Sequence, residues 1–347
     1  METFELGGKK IGNGLCPMII AEVGQAHDGS LGLAHCFIDA VAEAGVDAVK
    51  FQTHIAMEES TLDEPFRVKF SRQDNTRFEY WQRMEFTAEE WAGLAEHAKE
   101  QGLIFLSSAF SIAAVDLLER LGVPAWKIGS GEFWSSQLLE TMIGTGKPLL
   151  VSTGMSRWDE IETISMMLEN KCHPYALLQC TSRYPTKLNE VGLNVILEIR
   201  DKLKCPVGFS DHSGVIFPSV TAMARGAALV EVHVTLSRAM FGPDISSSLT
   251  VNELSQLVSA RDAIVTMDGH PVDKDSMAEE LETMRSLFSK SVALVNNLPA
   301  GTVLEEKHLC AKKPGTGIPV SELDQVLGKR LINDGFAECL LKWENVK

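Results

Sequence analysis

The sequence lacks the signals that mark secreted, membrane-spanning or nucleic-acid-binding proteins. Its seven cysteines form no C-x-x-C pair, which predicts reduced thiols and a cytoplasmic location. No apolar run reaches ~18 residues, so no membrane span is expected, and the first ten residues contain no apolar core of a secretory signal. The 32 lysines and arginines are outnumbered by 47 aspartates and glutamates, and the net charge of -15 excludes a general basic surface for nucleic acid.

A glycine-rich dinucleotide-binding turn is also missing. The turn after the first apolar run reads GQAHDG at residues 24–29, which does not match G-x-G-x-x-G. The chain does have 347 residues that are 45% hydrophobic, which is enough for a sizeable core. This length fits two domains, or one α/β barrel of ~250 residues with a small appendage.

One pattern repeats along most of the chain: a short apolar run ends in polar residues, and an amphipathic stretch follows. The apolar runs lie at residues 17–24, 47–53, 103–110, 125–132, 148–155, 175–182, 206–212 and 228–235. The amphipathic stretches lie at residues 31–44, 87–101, 112–121, 135–145, 158–170, 188–203, 216–225 and 251–267. Eight such units predict a (β/α)8 TIM barrel, with a doubly wound open sheet as the competing fold.

Two further segments stand outside this alternation. A long, charged and aromatic segment at residues 55–86 interrupts the second unit, and we expect it to cap the active site. After a polar linker at 269–282, glycine and proline punctuate short runs at 292–295, 301–304, 313–319 and 326–331, which predict short strands and turns. We therefore expect a barrel domain at residues 1–284 and a small β-rich domain at residues 285–347.

Polar side chains gather at the carboxyl ends of the predicted strands, where TIM barrels carry their active sites. Alternation along each strand directs Glu22, Lys50, Lys127, His212 and His233 toward one barrel mouth. Paired histidines can bind a divalent metal, and lysines with nearby hydroxyls suit a phosphate or carboxylate. Each residue alone could be structural, a core histidine or a lysine paired with a glutamate, so it is their convergence that favours a site.

The chain resembles the sialic acid (N-acetylneuraminate) synthases across both predicted domains. The matching segments are IAEVG at 20–24, DAVKFQT at 47–53, WKIGSGE at 126–132, STGM at 152–155, QCTSRYP at 179–185, GFSDHS at 208–213 and GPD at 242–244. In the tail, KKPGTGIP at 312–319 and LGK at 327–329 resemble the antifreeze-like (SAF) domain of that family.

The resemblance implies a condensation of phosphoenolpyruvate with an open-chain N-acyl amino sugar, N-acetylmannosamine or a relative, giving a nine-carbon 2-keto acid and phosphate. It implies that Mn²⁺ or Mg²⁺ is held by His212 and His233, which with Glu22 and Lys50 are the expected catalytic residues. The expected substrate-binding residues are Gln52, Lys127, Ser130, Glu132, Ser152, Gly154, Ser182, Tyr184, Ser210, Asp244, Lys290 and Lys313. A homodimer is also implied, with the SAF domain covering the partner's active site.

Four departures from the family pattern leave the sugar open. Lys313 stands where the family has an arginine, and lysine lacks the planar fork of that side chain. Ser182 replaces an asparagine of some members, the residues after 242–244 differ, and the loop at 66–86 matches no subtype pattern. Two alternatives remain at this point: a deoxy-octulosonate or deoxy-heptulosonate type synthase that uses an aldose phosphate, and a non-catalytic sugar-binding descendant of the fold.

Overall fold

The computed structural model describes residues 3–347 and contains two units, one that ends at Gly269 and one that spans His270–Lys347. The domain boundary that the sequence analysis placed between residues 284 and 285 stays a prediction. Within residues 3–347 no helix is both long and apolar enough to cross a membrane.

Eight parallel strands close into a barrel in the first unit, because its last strand pairs with both the first and the seventh. An antiparallel hairpin precedes them, formed by β1 (Thr3–Leu6) and β2 (Lys9–Gly12). The barrel strands are β3 (Met18–Gly24), β4 (Ala48–Thr53), β5 (Ile104–Ala109), β6 (Trp126–Ile128), β7 (Leu149–Ser152), β8 (Tyr175–Cys180), β9 (Val207–Asp211) and β10 (Leu229–Thr235), and β11 (Ser248–Thr250) pairs with β10. Each predicted apolar run contains one barrel strand, so the TIM-barrel prediction is confirmed.

Helices follow the strands. They are α1 (Leu31–Glu43), α2 (Ala56–Glu59), α3 (Arg77–Met84), α4 (Ala88–Glu100), α5 (Ile112–Leu121), α6 (Ser136–Gly144), α7 (Trp158–Asn170), α8 (Leu193–Leu203), α9 (Phe217–Ala224) and α10 (Val251–Asp268). The helix predicted at 188–203 begins later than expected. Leu188–Glu190 form a separate 3-10 turn, and Gly192 takes a φ of +69°, so the α-helix starts only at Leu193.

The interior of the barrel is apolar at one end and polar at the other. Leu6 and Ile11 of the hairpin pack with the inward side chains of the strands at the amino-terminal end, among them Ile20, Leu150 and Leu229. Because successive side chains alternate, the next inward position on each strand lies two residues later. Those positions carry buried polar or ionisable groups, namely Glu22, Lys50, Ser108, Lys127, Ser152, Cys180, Ser210 and Glu231.

The insertion between β4 and α4 forms a small substructure of its own, which we call the lid (residues 56–84). Its helices α2 and α3 enclose the buried side chains of Ala56, Tyr80, Trp81 and Met84, against which Phe66, Phe70 and Phe78 pack. Arg83 joins the lid to the barrel, because its guanidinium donates to Asp74 within the lid and to Asp28 after β3. This insertion is the segment that the sequence analysis expected to cap the active site.

The second unit contains α11 (Lys274–Glu280), α12 (Glu282–Phe288), β12 (Ser291–Leu294), β13 (Leu309–Lys312) and α13 (Leu323–Val326), and β12 pairs antiparallel with β13. It has its own apolar cluster, which includes Val292, Leu304 and Leu331. The runs at 301–304, 313–319 and 326–331 were expected to form short strands and turns, and the structure joins them through single bridges such as Val303 with Arg330. Prolines and tight glycine turns interrupt the backbone ladder there.

We predict that Asp47, at the amino-terminal end of β4, is a main stabilising group of the barrel. One of its oxygens accepts hydrogen bonds from the Ile19 amide at 2.7 Å and from Arg261 at 2.8 Å, and both side chains are buried. Asp47→Ala strands a buried guanidinium, so the free energy of unfolding should fall by about 3–5 kcal/mol in denaturant titrations. The control is Asp262→Ala, which removes an exposed partner of the same arginine and should cost less than about 1 kcal/mol. Equal losses in the two variants contradict the assignment.

Candidate active site

A cavity of about 480 Å³ opens at the carboxyl ends of the barrel strands. Twelve of the sixteen predicted site residues line it: Glu22, Lys50, Gln52, Lys127, Ser130, Glu132, Ser152, Ser182, Tyr184, Ser210, His212 and His233. Gly154 lies beside it, since its amide donates to the Ser130 hydroxyl at 3.0 Å, and Asp244 lines a neighbouring cavity of about 200 Å³. Lys290 and Lys313 belong to the second unit, His270–Lys347.

Two lysines and two glutamates form the floor of this cavity. The Lys50 ammonium lies 2.5 Å from Glu22 and 3.7 Å from Glu231, and that of Lys127 lies 3.5 Å from Glu231. Hydroxyls complete the network, because Lys50 donates to Ser108 at 3.1 Å and Lys127 to Ser152 at 2.8 Å. The lysine charges are therefore stabilised by pairing with buried carboxylates rather than by hydration.

The pKa values in this floor follow from burial and from the opposing charges. Burial raises the pKa of Glu22, and the Lys50 ammonium opposes that shift. Burial also works against ionisation of Glu231, yet Lys127 and Lys50 hold the pKa of its carboxyl at about 2. For Lys50, burial favours loss of the proton, but Glu22 and Glu231 outweigh it and raise the pKa of the ammonium. Both lysines thus face Glu231 as an ionised carboxylate at neutral pH.

Small side chains form one wall, next to the lysines. A Cβ atom on Gly154 would lie 2.5 Å from the Ser182 hydroxyl and 2.8 Å from the Ser130 hydroxyl and the Cys180 thiol. Only glycine therefore leaves these three groups in place. The result is a concave surface of hydroxyls and backbone beside two ammonium groups, which is the chemistry that binds phosphate or carboxylate oxygens.

The two histidines adjoin this wall, with ring centroids 5.4 Å apart, and Nδ1 of His212 lies 3.8 Å from the Cys180 thiol. His212 donates from Nδ1 to the carbonyl of Thr181 at 3.0 Å, which leaves the Nε2 lone pair available. Burial, with a smaller contribution from His233, lowers the pKa of His212 to about 3, so its ring is neutral at pH 7. Neutral imidazoles suit a divalent cation, and in the described part of the chain no third histidine, cysteine or carboxylate completes a protein-only ligand set. The two histidines therefore fit a divalent metal ion whose remaining coordination positions are open to substrate or water.

Glutamine side chains link the floor to the upper cavity. Gln52 donates to the second oxygen of Glu22 at 2.6 Å, and its own carbonyl accepts from Gln25. Glu22 therefore lies between the ammonium of Lys50 and the amide of Gln52. Tyr184 covers the histidines from above, with its ring centroid 4.1 Å from that of His212.

The structure adds residues that the sequence prediction did not include. Glu231 joins both lysines, and its signal was available, because it shares the inward face of β10 with His233. The lid supplies Glu59, Glu64, Arg67, Arg77 and Trp81, and His54 and Phe110 complete this outer end of the cavity. The length and aromatic content of the insertion predicted a cap, but no pattern in it identified which side chains point into the cavity.

The chain is similar in sequence and in structure to known synthases. A model described as the NeuB family matches residues 37–273, and one described as the SAF domain matches residues 289–347. The N,N'-diacetyllegionaminic acid synthase of Campylobacter jejuni is 34% identical over 90% of this chain and 95% of that protein. The human N-acetylneuraminate-9-phosphate synthase is 32% identical over 94% of this chain and 91% of its own. The crystal structure of N-acetylneuraminic acid (sialic acid) synthetase from Leptospira borgpetersenii, 31% identical, superposes with a TM-score of 0.72 over 82% of this chain and 97% of that one.

We predict that Glu231→Gln destabilises the protein in a way that an anion can reverse. The variant leaves Lys50 and Lys127 with one carboxylate fewer, so the free energy of unfolding should fall by about 3 kcal/mol. Inorganic phosphate can take the place of the lost charge, so it should raise the melting temperature of the variant more than that of the native protein. Thermal denaturation with and without phosphate measures both effects.

Glu132→Gln is the matched control, because Glu132 lines the same cavity and forms no ion pair with any of residues 3–347. It should show neither the large loss nor the added rescue by phosphate. Identical stabilisation of the native protein and the Glu231 variant by phosphate contradicts an anion site at the two lysines.

Proposed function

Because the chain belongs to the NeuB family and ends in a SAF domain, we propose that it condenses phosphoenolpyruvate with an open-chain N-acyl amino sugar, N-acetylmannosamine or a relative. The products are a nine-carbon, sialic-acid-type 2-keto acid and phosphate. The observation that carries this proposal is the placement of two buried lysines and two histidines in one cavity. The synthases among its relatives support the same class of reaction but differ in the sugar that their names imply.

Phosphoenolpyruvate is assigned to the floor of the cavity. Lys50 and Lys127 supply the positive charge for its phosphate and carboxylate, and Ser130, Ser152 and Ser210 supply hydroxyl donors. Gly154 and Ser182 shape the wall around it, and Glu132 lies nearer the outer end of the cavity, where its charge interacts with that of Glu59. Since Glu22 and Glu231 already hold the lysines in place, the substrate meets ammonium groups that are fixed before it arrives, which lowers the entropic cost of binding.

The amino sugar is assigned to the upper part of the cavity. Tyr184, Gln52 and Asp244 offer hydrogen-bonding groups to its hydroxyls and acyl amide, and Glu22 lies between the two subsites. His212 and His233 would hold Mn²⁺ or Mg²⁺, which when bound supplies polarisation of the sugar aldehyde. Glu22, Lys50 and the two histidines are thus our candidates for groups that touch the reacting atoms.

The proposed reaction balances with water as the third reactant. A carbon–carbon bond forms between C3 of phosphoenolpyruvate and the aldehyde carbon, and water adds at C2. Cleavage of the C2–O bond then releases phosphate and leaves the 2-keto group, and the former aldehyde oxygen ends as a hydroxyl that has gained one proton. The floor of the cavity stays closed to bulk solvent, because Glu22, Lys50 and Glu231 are almost fully buried.

We also propose a cytoplasmic homodimer in which the SAF domain of one chain covers the barrel mouth of the other. All seven cysteines are free, which suits a reducing compartment. Segments that follow the barrel strands expose large apolar side chains, among them Trp134, Met155 and Phe217, as a covered surface requires. In such a dimer, Lys313 and Lys290 would approach the partner's substrates.

The test of the proposed reaction is phosphate release from phosphoenolpyruvate with Mn²⁺ and a panel of sugars. The panel contains N-acetylmannosamine, its 2,4-diacetamido-6-deoxy relatives and arabinose 5-phosphate. We expect release with an amino sugar and none with arabinose 5-phosphate. Lys127→Met should lower kcat/KM for phosphoenolpyruvate at least a hundredfold, whereas Lys99→Met on the exposed face of α4 should leave it unchanged.

Calorimetric titration with Mn²⁺ tests the metal assignment apart from turnover. Binding should be lost in His212→Ala, and a chelator should abolish turnover of the native protein. Turnover that survives in His212→Ala contradicts the assignment of this histidine to the metal. Release of phosphate only with arabinose 5-phosphate contradicts the proposed acceptor.

Mixing two inactive variants tests the dimer. We expect Lys127→Met and Lys313→Ala each to lower turnover, because the first lacks a lysine in its own barrel and the second lacks one in its SAF domain. After the two proteins are mixed and allowed to exchange chains, one site of each mixed dimer regains both lysines, so activity should return. No recovery in a mixture shown to contain mixed dimers contradicts the coverage of one barrel by the partner's SAF domain.

A further inference from the structure

Arg67 of the lid reaches across the outer end of the cavity. Its guanidinium donates to Asp244 at 2.9 Å and lies 4.0 Å from the centre of the Tyr184 ring. The lid follows β4, whereas Asp244 and Tyr184 follow β10 and β8. A single side chain therefore joins three loops that surround the cavity.

The contacts of Arg67 continue inward to the reacting centre. The Tyr184 ring packs against His212, and Asp244 lines the same outer cavity as Gln52 and His233. An arginine above an aromatic ring fixes the ring through cation–π attraction while its fork holds a carboxylate. Loss of Arg67 thus frees two groups that our proposed function assigns to the sugar, and it leaves the lysine floor untouched.

The positive charges at this outer end are already paired. Arg67 is neutralised by Asp244, and Arg77 lies 3.2 Å from Glu64. Glu59 accepts from His54, whose ring is stacked between those of Trp81 and Phe110. Four carboxylates, those of Glu59, Glu64, Glu132 and Asp244, stand against the two guanidinium groups. Among the described residues 3–347 that line the outer end of the chain's own barrel, no cation is left unpaired for a phosphate, although Arg67 would be set free if Asp244 lost its charge.

We propose that Arg67 is a positioning residue that determines which acceptor the cavity takes. It holds Asp244 and Tyr184 against the sugar. Because Arg67 is already paired with Asp244, the cavity favours an acceptor sugar that carries no charge at the end remote from its aldehyde. The phosphate ester of the same sugar is therefore disfavoured. This inference rests on the proposed function, because it concerns the acceptor half of that reaction.

Steady-state kinetics of lid variants test the positioning role. Arg67→Ala should raise KM for the sugar at least tenfold and change KM for phosphoenolpyruvate less than twofold. Arg67→Lys should recover only part of the loss, because lysine keeps the charge without the planar fork. The control is Arg72→Ala, an exposed position in the same lid, and it should match the native protein. An unchanged sugar KM in Arg67→Ala, or equal rises for both substrates, overturns the proposal.

Selectivity between N-acetylmannosamine and its 6-phosphate tests the charge pairing. The native protein should favour the free sugar at least tenfold in kcat/KM. Asp244→Asn frees the charge of Arg67, so the ester should gain at least tenfold relative to the free sugar, and the double variant Arg67→Ala, Asp244→Asn should lose that gain. A native preference for the ester overturns the proposal while leaving the condensation itself in place.

Hydrogen exchange of the lid gives a readout that needs no turnover. The Arg67–Asp244 pair is partly open to solvent, with side-chain exposures of 43% and 17%, so its loss should not unfold the protein. Amides of the lid should exchange faster in Arg67→Ala than in Arg72→Ala, and equal rates overturn the proposal. If no sugar on the panel releases phosphate, the proposed function is wrong, and hydrogen exchange still decides whether Arg67 holds the lid.

Discussion

Two ammonium groups inside a barrel are stable only when carboxylates accompany them, and this constraint organises the active end of the molecule. Lys50 is almost completely buried, as is Glu231, which it shares with Lys127. Isolated charges in such a place are very costly, whereas paired and hydrogen-bonded charges are tolerated. The same pairs leave the lysines rigid, close together and short of solvent, and these are the properties that binding of an anionic substrate requires. The structural requirement and the proposed chemistry therefore concern the same four side chains.

The barrel supplies this arrangement through its alternation of side chains. A purely apolar layer, closed from below by the β1–β2 hairpin, lies beneath the polar layer. One pleat separates the two layers, so Ile20 precedes Glu22, Ala48 precedes Lys50, and Leu229 precedes Glu231. The apolar layer bears the packing, and the strands can then hold ionisable groups at their carboxyl ends. Hydroxyl and glycine positions after β6 and β7 complete the anion site, and the histidines after β9 and on β10 adjoin it.

Much of this could be predicted from the sequence, because strand parity and hydrophobic periodicity are local signals. The eight strands, the barrel and the convergence of Lys50, Lys127, His212 and His233 follow from such signals, and the structure confirms the fold and brings these residues together. The contacts of Arg67 could not be predicted, because they depend on how a long insertion folds and on two distant partners, Tyr184 and Asp244, the second of them 177 residues away. In the second unit the sequence predicted short strands and turns but not their pairing, since single bridges leave no periodic pattern in the sequence. The chemistry of each site residue stays a prediction, because geometry places a group without showing that it acts.

The central claim is that the lysine floor binds phosphoenolpyruvate and that the cavity joins it to an amino sugar with cleavage of the C2–O bond. The most direct test uses phosphoenolpyruvate labelled with ¹⁸O at its bridging oxygen, turned over with the amino sugar that supports phosphate release. Mass spectrometry of the products then shows which bond has broken. The account predicts that the label leaves with phosphate and that the keto acid takes its new oxygen from water. Label retained in the keto acid would mean cleavage at phosphorus, which contradicts the account.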